Sequence, residues 1–252
     1  MIYKDGYKMS KSRGNVVSPD YICGKYGADT GRAFILFIGP PDQDAEWNDA
    51  GVEGVFRFLN RVWRFFDASL PGYDPDWRSR LDGAELNAPE REMRRMTHHT
   101  IERITNDIER FHFNTAVSAL MEMTNALYEF GAAEKGEYRN AVASEAMENM
   151  ALILAPFVPH VADELWEAMG KSGTTYEQNW PAFDPELTKA EMVEMVIQIN
   201  GKVRDRLELP AEIDAGQVEE LALASDRVQK LLEGRPPRKV IVVPGKLVNI
   251  VV

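Results

Sequence analysis

Between residues 48 and 170 apolar side chains return every three or four positions, and from residue 191 onward they return every second position. The first spacing fills one side of a helix and the second fills one face of a strand. A chain carrying one after the other folds as two architectures in series. In the first region Asn48 or Asp49 opens a helix whose inward stripe is Val52, Val55, Phe56, Leu59, Val62, Trp63 and Phe66. Met93, Met96, Ile101, Ile104 and Ile108 mark a second helix, from about Pro89 to Arg110. Asn114 is placed to cap a third, through Ala116, Leu120, Met123, Leu127 and Phe130, and a fourth spans roughly Glu137 to Leu154. A short helix with Val161, Leu165 and Trp166 ends before Gly170, while Pro71 to Asn87 reads as a loop. Short connections between amphipathic helices predict an antiparallel bundle.

The fold class is therefore mostly α: an antiparallel helix bundle followed by a small α+β domain. In the tail, Val193, Met195, Ile197 and Ile199 alternate, as do Val203, Leu207 and Leu209, with Asn200-Gly201 between them as a hairpin signal. All seven residues are odd-numbered. A two-residue loop would set the two apolar sets on opposite faces, so a three-residue loop with Gln198 opposite Lys202 is expected. On that register Lys202, Arg204 and Arg206 project from the polar face. Asp214 and Gln217 resemble a capping box for a helix through Val218 and Leu221, with a break near Ser225 and an end at Gly234. Val240–Val243 and Leu247–Val252 read as buried strands around Pro244-Gly245. Ahead of the bundle, Ser18 and Pro19 start a helix closed by Gly27, and a second runs from Asp29 or Thr30 to Ile38 before Gly39-Pro40-Pro41. The expected domains are 1–47, 48–170, a linker at 171–190, and 191–252.

The net charge of −11 argues against a nucleic-acid binder when taken as a total. Its distribution argues otherwise. In residues 1–17 Lys4, Lys8, Lys11 and Arg13 meet only Asp5, and in 235–252 Arg235, Arg238, Lys239 and Lys246 meet no acid. Two basic ends flank an acidic middle, and close-range fields matter most because salt screens beyond roughly 8 Å. A merely solvated surface is the competing reading. The single cysteine, Cys23, excludes an intrachain disulfide and a cysteine-based zinc site, and is expected to be a small, partly buried side chain. His98, His99 and His112 lack metal spacing, suiting surface or capping roles, and His160 suits a capping or packing role near the last helix. No metal site is expected. No apolar stretch approaches the roughly 20 residues of a membrane span, so the setting expected is cytoplasmic.

The chemistry concentrates in Lys8-Met9-Ser10-Lys11-Ser12, followed by Arg13-Gly14-Asn15. Ammoniums, hydroxyls and free backbone N–H groups in a loop with a glycine suit a polyphosphate. A solvated lysine-serine loop fits the spacing as well. The string resembles the KMSKS signature of class I aminoacyl-tRNA synthetases. Gly27-Ala28-Asp29-Thr30 with Arg32 is similar to the segment that follows that signature. Trp47-Asn48-Asp49, Gly51-Val52-Glu53-Gly54 and Arg57 to Trp63 resemble bacterial leucyl-tRNA synthetases. So do Ile108 to Ala116, Leu154 to His160, Asn200 to Asp205 and Arg238 to Val252.

The resemblance implies a bundle of the class I anticodon-binding type. It implies ATP as substrate with Mg2+ alongside, no structurally bound cofactor, and leucine and leucine tRNA as partners of a monomeric enzyme. Lys8, Met9, Ser10, Lys11 and Ser12 would form the ATP loop, Lys11 being catalytic and Met9 packing beneath. Lys202, Arg204, Arg206, Arg235, Arg238, Lys239 and Lys246 would be the tRNA contacts. Arg57, Arg61 and Arg64 read better as a solvated face than as RNA contacts. The family's HIGH motif, nucleotide-binding sheet and editing insertion do not occur here, so the chain is expected to be the C-terminal third of such an enzyme. Its loop is expected to be disordered without ATP. A non-catalytic RNA-binding module is the alternative, as is the equivalent part of a valyl, isoleucyl or methionyl enzyme. One cysteine speaks against the isoleucyl type and a β-rich tail against the valyl type.

Overall fold

The computed structural model describes residues 1–189, 192–211, 213–232 and 236–252. The chain divides into two compact units, Met1–Thr188 and Lys189–Val252, each with its own apolar core. No helix among the described residues is long and apolar enough to cross a membrane.

The first unit opens with a hairpin of β1 (Ile2–Lys4) and β2 (Tyr7–Lys8), and β1 also pairs in parallel with β3 (Ala45–Glu46). Between them lie α1 (Pro19–Tyr26) and α2 (Ala28–Phe37). Proline at the first position starts α1 and Gly27 ends it, as expected, although the Ser18 side chain makes no capping bond.

The bundle follows as α3 (Asp49–Ser69), a short α4 (Trp77–Leu81), α5 (Ala88–Glu109), α6 (Phe113–Ala132), α7 (Arg139–Leu154) and α8 (Pro159–Ala168). Asn48 caps α3 through the Ala50 N–H, and Asn87 with Glu90 forms a full capping box on α5. The cap expected at Asn114 is not formed. That residue lies inside the first turn of α6, and His112 takes the capping position without a side-chain bond.

The inward stripe of α3 is Val52, Val55, Phe58, Leu59, Val62, Phe65 and Phe66. Phe56 and Trp63, expected in that stripe, are exposed instead. Helix α7 is buried on every side: Val142, Ala146, Met147, Met150 and Ile153 have no exposure. Each large side chain buried in this way contributes about 1.5–3 kcal/mol.

Two carboxylates inside that helix have cationic partners. Glu145 takes both arms of the Arg94 guanidinium, at 2.7 and 3.1 Å, and His98 Nε2 at 3.3 Å. His98 is thus a buried bridge rather than a surface residue, since its Nδ1 also accepts the Asp184 N–H at 3.0 Å. Glu148 gathers Tyr73, Trp77, Arg78 and Lys171. Burial pushes both carboxyls up, but these bonds outweigh it and hold both below the usual carboxylate range.

The same bonds hold much of the segment expected as a linker. Lys171 reaches Glu148, Thr175 bonds Asp163, Trp180 donates to Thr105, and Phe183 packs on the core. Residues 171–188 belong to the first unit.

The second unit contains β4 (Met192–Ile199), β5 (Lys202–Pro210), α9 (Ala215–Ala224), α10 (Asp226–Leu232), β6 (Lys239–Val243) and β7 (Leu247–Val251). The sheet order is β5-β4-β7-β6, with β4 and β7 parallel. The helix breaks at Ser225 as expected, whereas the end expected at Gly234 lies outside the described residues.

The hairpin differs from expectation. Ile199 pairs with Lys202 across a two-residue turn in which Asn200 and Gly201 have φ of 49° and 77°. The register then shifts: Gln198 faces Val203, but Ile197 faces Asp205, leaving Arg204 as an extra, bulged residue. The bulge, not the loop, brings Leu207 and Leu209 to the face of Met195 and Val193, while Val203, opposite Gln198, lies on the other face and is exposed. It also places Lys202 on the side of Ile199 and Arg206 on the opposite side, so these two do not share a face.

Candidate functional site

The lysine loop leaves the β1–β2 hairpin and turns through a 3-10 helix over Lys11–Arg13. Gly14 closes the turn at φ 68°, a left-handed conformation that suits glycine. Asn15 braces the loop from within. Its Oδ1 accepts the Ser10 N–H at 2.9 Å, and its Nδ2 faces the carbonyls of Lys4, Tyr7 and Lys8 at 3.3–3.4 Å. These bonds set the turn of the loop. Sequence reasoning gave Asn15 no role. Its signal was a side chain that both donates and accepts, one residue beyond a glycine turn.

Lys8 and Lys11 are exposed, and neither ammonium meets a carboxylate among the described residues. The Ser10 and Ser12 hydroxyls lie 3.2 Å apart, and the Arg13 guanidinium covers the Tyr7 ring at 4.6 Å. Met9 is half-buried and lines an apolar hollow of about 590 Å3 with Ile2, Val17, Ile22 and Trp47. Cys23, at the edge of that hollow, is exposed rather than partly buried. Ammoniums without a carboxylate partner among the described residues, two hydroxyls and a braced turn are groups whose chemistry suits an anion.

Behind the loop, Asp29 at the start of α2 is buried at 6% exposure. Its Oδ2 accepts the Val161 N–H at 2.7 Å and its Oδ1 lies 2.8 Å from His160 Nδ1. The carboxylate thus supplies the cap that Val158 does not give α8. The segment carrying the lysine loop is fastened to the bundle at this point.

In the second unit the basic residues fall into two groups by register. Lys202 on β5 and Lys239 on β6 lie at the same end of the sheet, next to Ile199 and Val251, with Arg238 beside Lys239. Arg206 lies opposite Val196, whose N–H bonds the Lys246 carbonyl, so these two share a level lower down. Arg206 also pairs with Glu194 at 2.8 Å. Arg204 occupies the bulge, and Arg235 lies outside the described residues. Lys202, Arg204, Arg206, Arg238, Lys239 and Lys246 are all exposed. No group of three or more His, Cys, Asp or Glu among the described residues is placed to hold a metal.

Residues 90–220 match the family model described as the anticodon-binding domain of tRNA ligase. The chain belongs to that family. Residues 1–48 match the model of class I tRNA synthetases for I, L, M and V, so the lysine loop and the anticodon-binding domain stand in one chain. A leucine–tRNA ligase of Symbiobacterium thermophilum is 48% identical over all of this chain and 32% of its own length. One from Thermotoga maritima is 46% identical over all of this chain and 31% of its own. The chain spans about a third of the length of these curated relatives. A crystal structure of an Agrobacterium radiobacter LeuRS–tRNA–LeuAMS ternary complex matches with TM-score 0.80 and 32% identity, over 100% of this chain and 32% of that one. Mycobacterium tuberculosis methionyl-tRNA synthetase, at TM-score 0.54 and 20% identity, shares the fold over 68% of this chain and 37% of its own. Matches of the leucine type run through the tail; the methionyl match does not cover the whole chain.

Proposed function

We propose that this chain supplies the ATP loop and the tRNA-binding surfaces of a leucine–tRNA ligase. That enzyme joins leucine to ATP as leucyl-adenylate, releases pyrophosphate and esterifies leucine tRNA. The observation that carries the reading is the braced lysine loop with two unpaired ammoniums, in a chain matched from end to end by ligases of that name. Lys11 is the catalytic group. Its ammonium stabilises charge that develops on the departing pyrophosphate, which lowers the barrier more than it tightens ATP binding. Lys8, Ser10 and Ser12 hold phosphate oxygens, and Met9 anchors the loop from below. Lys202, Arg204, Arg206, Arg235, Arg238, Lys239 and Lys246 contact the tRNA backbone. Mg2+ enters with ATP. The ligase works as a monomer in the cytoplasm.

The test is leucine-dependent ATP–pyrophosphate exchange by the longer ligase, with and without Lys11→Ala. Exchange should fall chiefly in kcat. An unchanged kcat would leave the loop a structural turn and remove the catalytic assignment.

A further inference from the structure

Helix α3 carries an outward face that its core packing does not use. Phe56 is 38% exposed and Trp63 43%, although both match the spacing of an inward stripe. The Trp63 ring has no aromatic partner and its indole N–H no acceptor among the described residues. Phe56 meets the Tyr26 ring edge-on at 5.6 Å, and the two side chains leave an apolar surface open over two turns of helix.

Charge along this face is mainly positive, with Glu53, which accepts the Tyr26 hydroxyl at 3.1 Å, as the acid at its edge. Arg57, Arg61 and Arg64 follow the same helix, and no acid occurs from residue 54 to 66. Arg61 lies over the Tyr128 ring at 5.0 Å and Arg64 Nε bonds the Asn60 carbonyl, which hold both guanidiniums near the surface. Arg57 has only a long contact to Glu53, at 4.0 Å. Planar cations interleaved with flat aromatic rings, in a chain of net charge −11, suit a polyanion that also presents flat rings.

The face opens into a hollow of about 410 Å3 lined by Tyr26, Phe56, Leu59, Asn60, Trp63 and His160. Its lining is mainly apolar, with three aromatic rings, and its polar atoms are few and directed. The Asn60 Nδ2 donates to the Phe56 carbonyl at 2.8 Å, which leaves its Oδ1 as an acceptor. The His160 Nδ1–H is fixed on Asp29, which leaves Nε2 without a protein partner among the described residues. Few directed polar groups on an apolar wall are how a site reads one base edge.

We infer that this hollow receives an unstacked nucleobase of a bound RNA, with Trp63 as the stacking surface and Arg57 and Arg64 holding the flanking phosphates. The inference rests on the tRNA-ligase reading and adds a specific contact site on the bundle.

The test measures binding of leucine tRNA by the 252-residue chain across a salt series. Trp63→Ala should weaken binding roughly tenfold with its salt slope unchanged, because a stacking contact releases no counterion. Trp63→Phe should retain most of the affinity. Arg57→Ala and Arg64→Ala should each flatten the log–log salt slope by roughly 0.7–0.9. Equal affinity for Trp63→Ala and the unaltered chain, at equal helicity, overturns the site while leaving the ligase reading intact. No tRNA binding by the unaltered chain overturns the site and the tRNA-binding part of that reading, whereas pyrophosphate exchange tests the ATP part separately. Concentration-dependent self-association abolished by Trp63→Ala, with RNA affinity unmoved, would give the face to a second copy instead.

Discussion

Asp29 caps Val161 across 132 residues of sequence, with its carboxylate oxygen 2.7 Å from the backbone N–H. One buried side chain therefore ties the helix pair behind the lysine loop to the last helix of the bundle. Asp29→Ala leaves that N–H and the His160 ring without their acceptor, and should cost about 1–3 kcal/mol in a urea melt. Asp29→Asn, which keeps one acceptor, should cost less. Indistinguishable midpoints for all three proteins would show that packing alone fixes α2 on α8.

Asn15→Ala should loosen the lysine loop without disturbing the bundle. The Ser10 N–H loses its acceptor and three carbonyls lose a donor, at about 1 kcal/mol net for each good bond. Hydrogen exchange at Ser10 should accelerate by roughly an order of magnitude while the melting temperature holds. Unaltered exchange would place the restraint on the loop elsewhere.

Glu148→Ala should be among the most damaging single changes in the first unit. Glu148 is 3% exposed and serves Lys171, Trp77, Arg78 and Tyr73, so its loss strands two cations and two neutral donors. Breaking a buried pair in this way costs about 3–5 kcal/mol. Exposed Arg78 can turn to water, which favours the lower end of that range. A loss under about 1 kcal/mol, the scale of an exposed ion pair, would mean that Lys171 finds another partner.

Acid should weaken the first unit through the same carboxylates. Glu145 and Glu148 are held below the range of an unfolded glutamate, near about 4.3, so as pH falls the unfolded chain takes up protons first. Their stabilisation is whole above that range and disappears as pH drops through the lower folded values. The stability gap between the unaltered chain and Glu148→Gln should therefore narrow from pH 7 toward pH 3. A constant gap would show that the charge of Glu148 contributes nothing.

Removing residues 189–252 should leave the first unit folded, because Met195, Ile197, Val248 and Ile250 pack in a core of their own. In the longer ligase, that deletion should reduce tRNA charging and spare pyrophosphate exchange. It should also flatten the salt dependence of tRNA binding by just under one unit for each phosphate that the tail neutralises. Identical slopes with and without the tail would leave it a structural unit only.

The elements most legible in the sequence were those with local punctuation. Pro19 and Gly27 bound α1, Asn48 starts α3, and Asn200-Gly201 marks the hairpin, because each acts on its own backbone. Phe56 and Trp63 were misread because a period of 3.6 fits two adjacent stripes of α3, and only the neighbouring helices choose between them. That choice buried Phe58 and Phe65 instead. In α7 burial on all sides leaves no polar face, and its glutamates find their cations on residues distant in sequence, such as Arg94 and Arg78. The lysine loop was legible as a string. Its brace at Asn15 and its anchor at Asp29 were not, since their partners come together only on folding.

The bulge at Arg204 works as a phase shifter in the second sheet. Up to Val203 the strand follows the turn, and from Asp205 onward it follows the core. What the sheet needs is that the residue at 204, of nearly any kind, stay out of the ladder. Exchanging the arginine alters charge alone, and deleting it would close the ladder with Leu207 still opposite Met195; what would invert the strand from 205 to 210 is pairing residue 204 with Ile197. Leu207 and Leu209 would then turn to solvent while Arg206 and Glu208 faced Met195 and Val193.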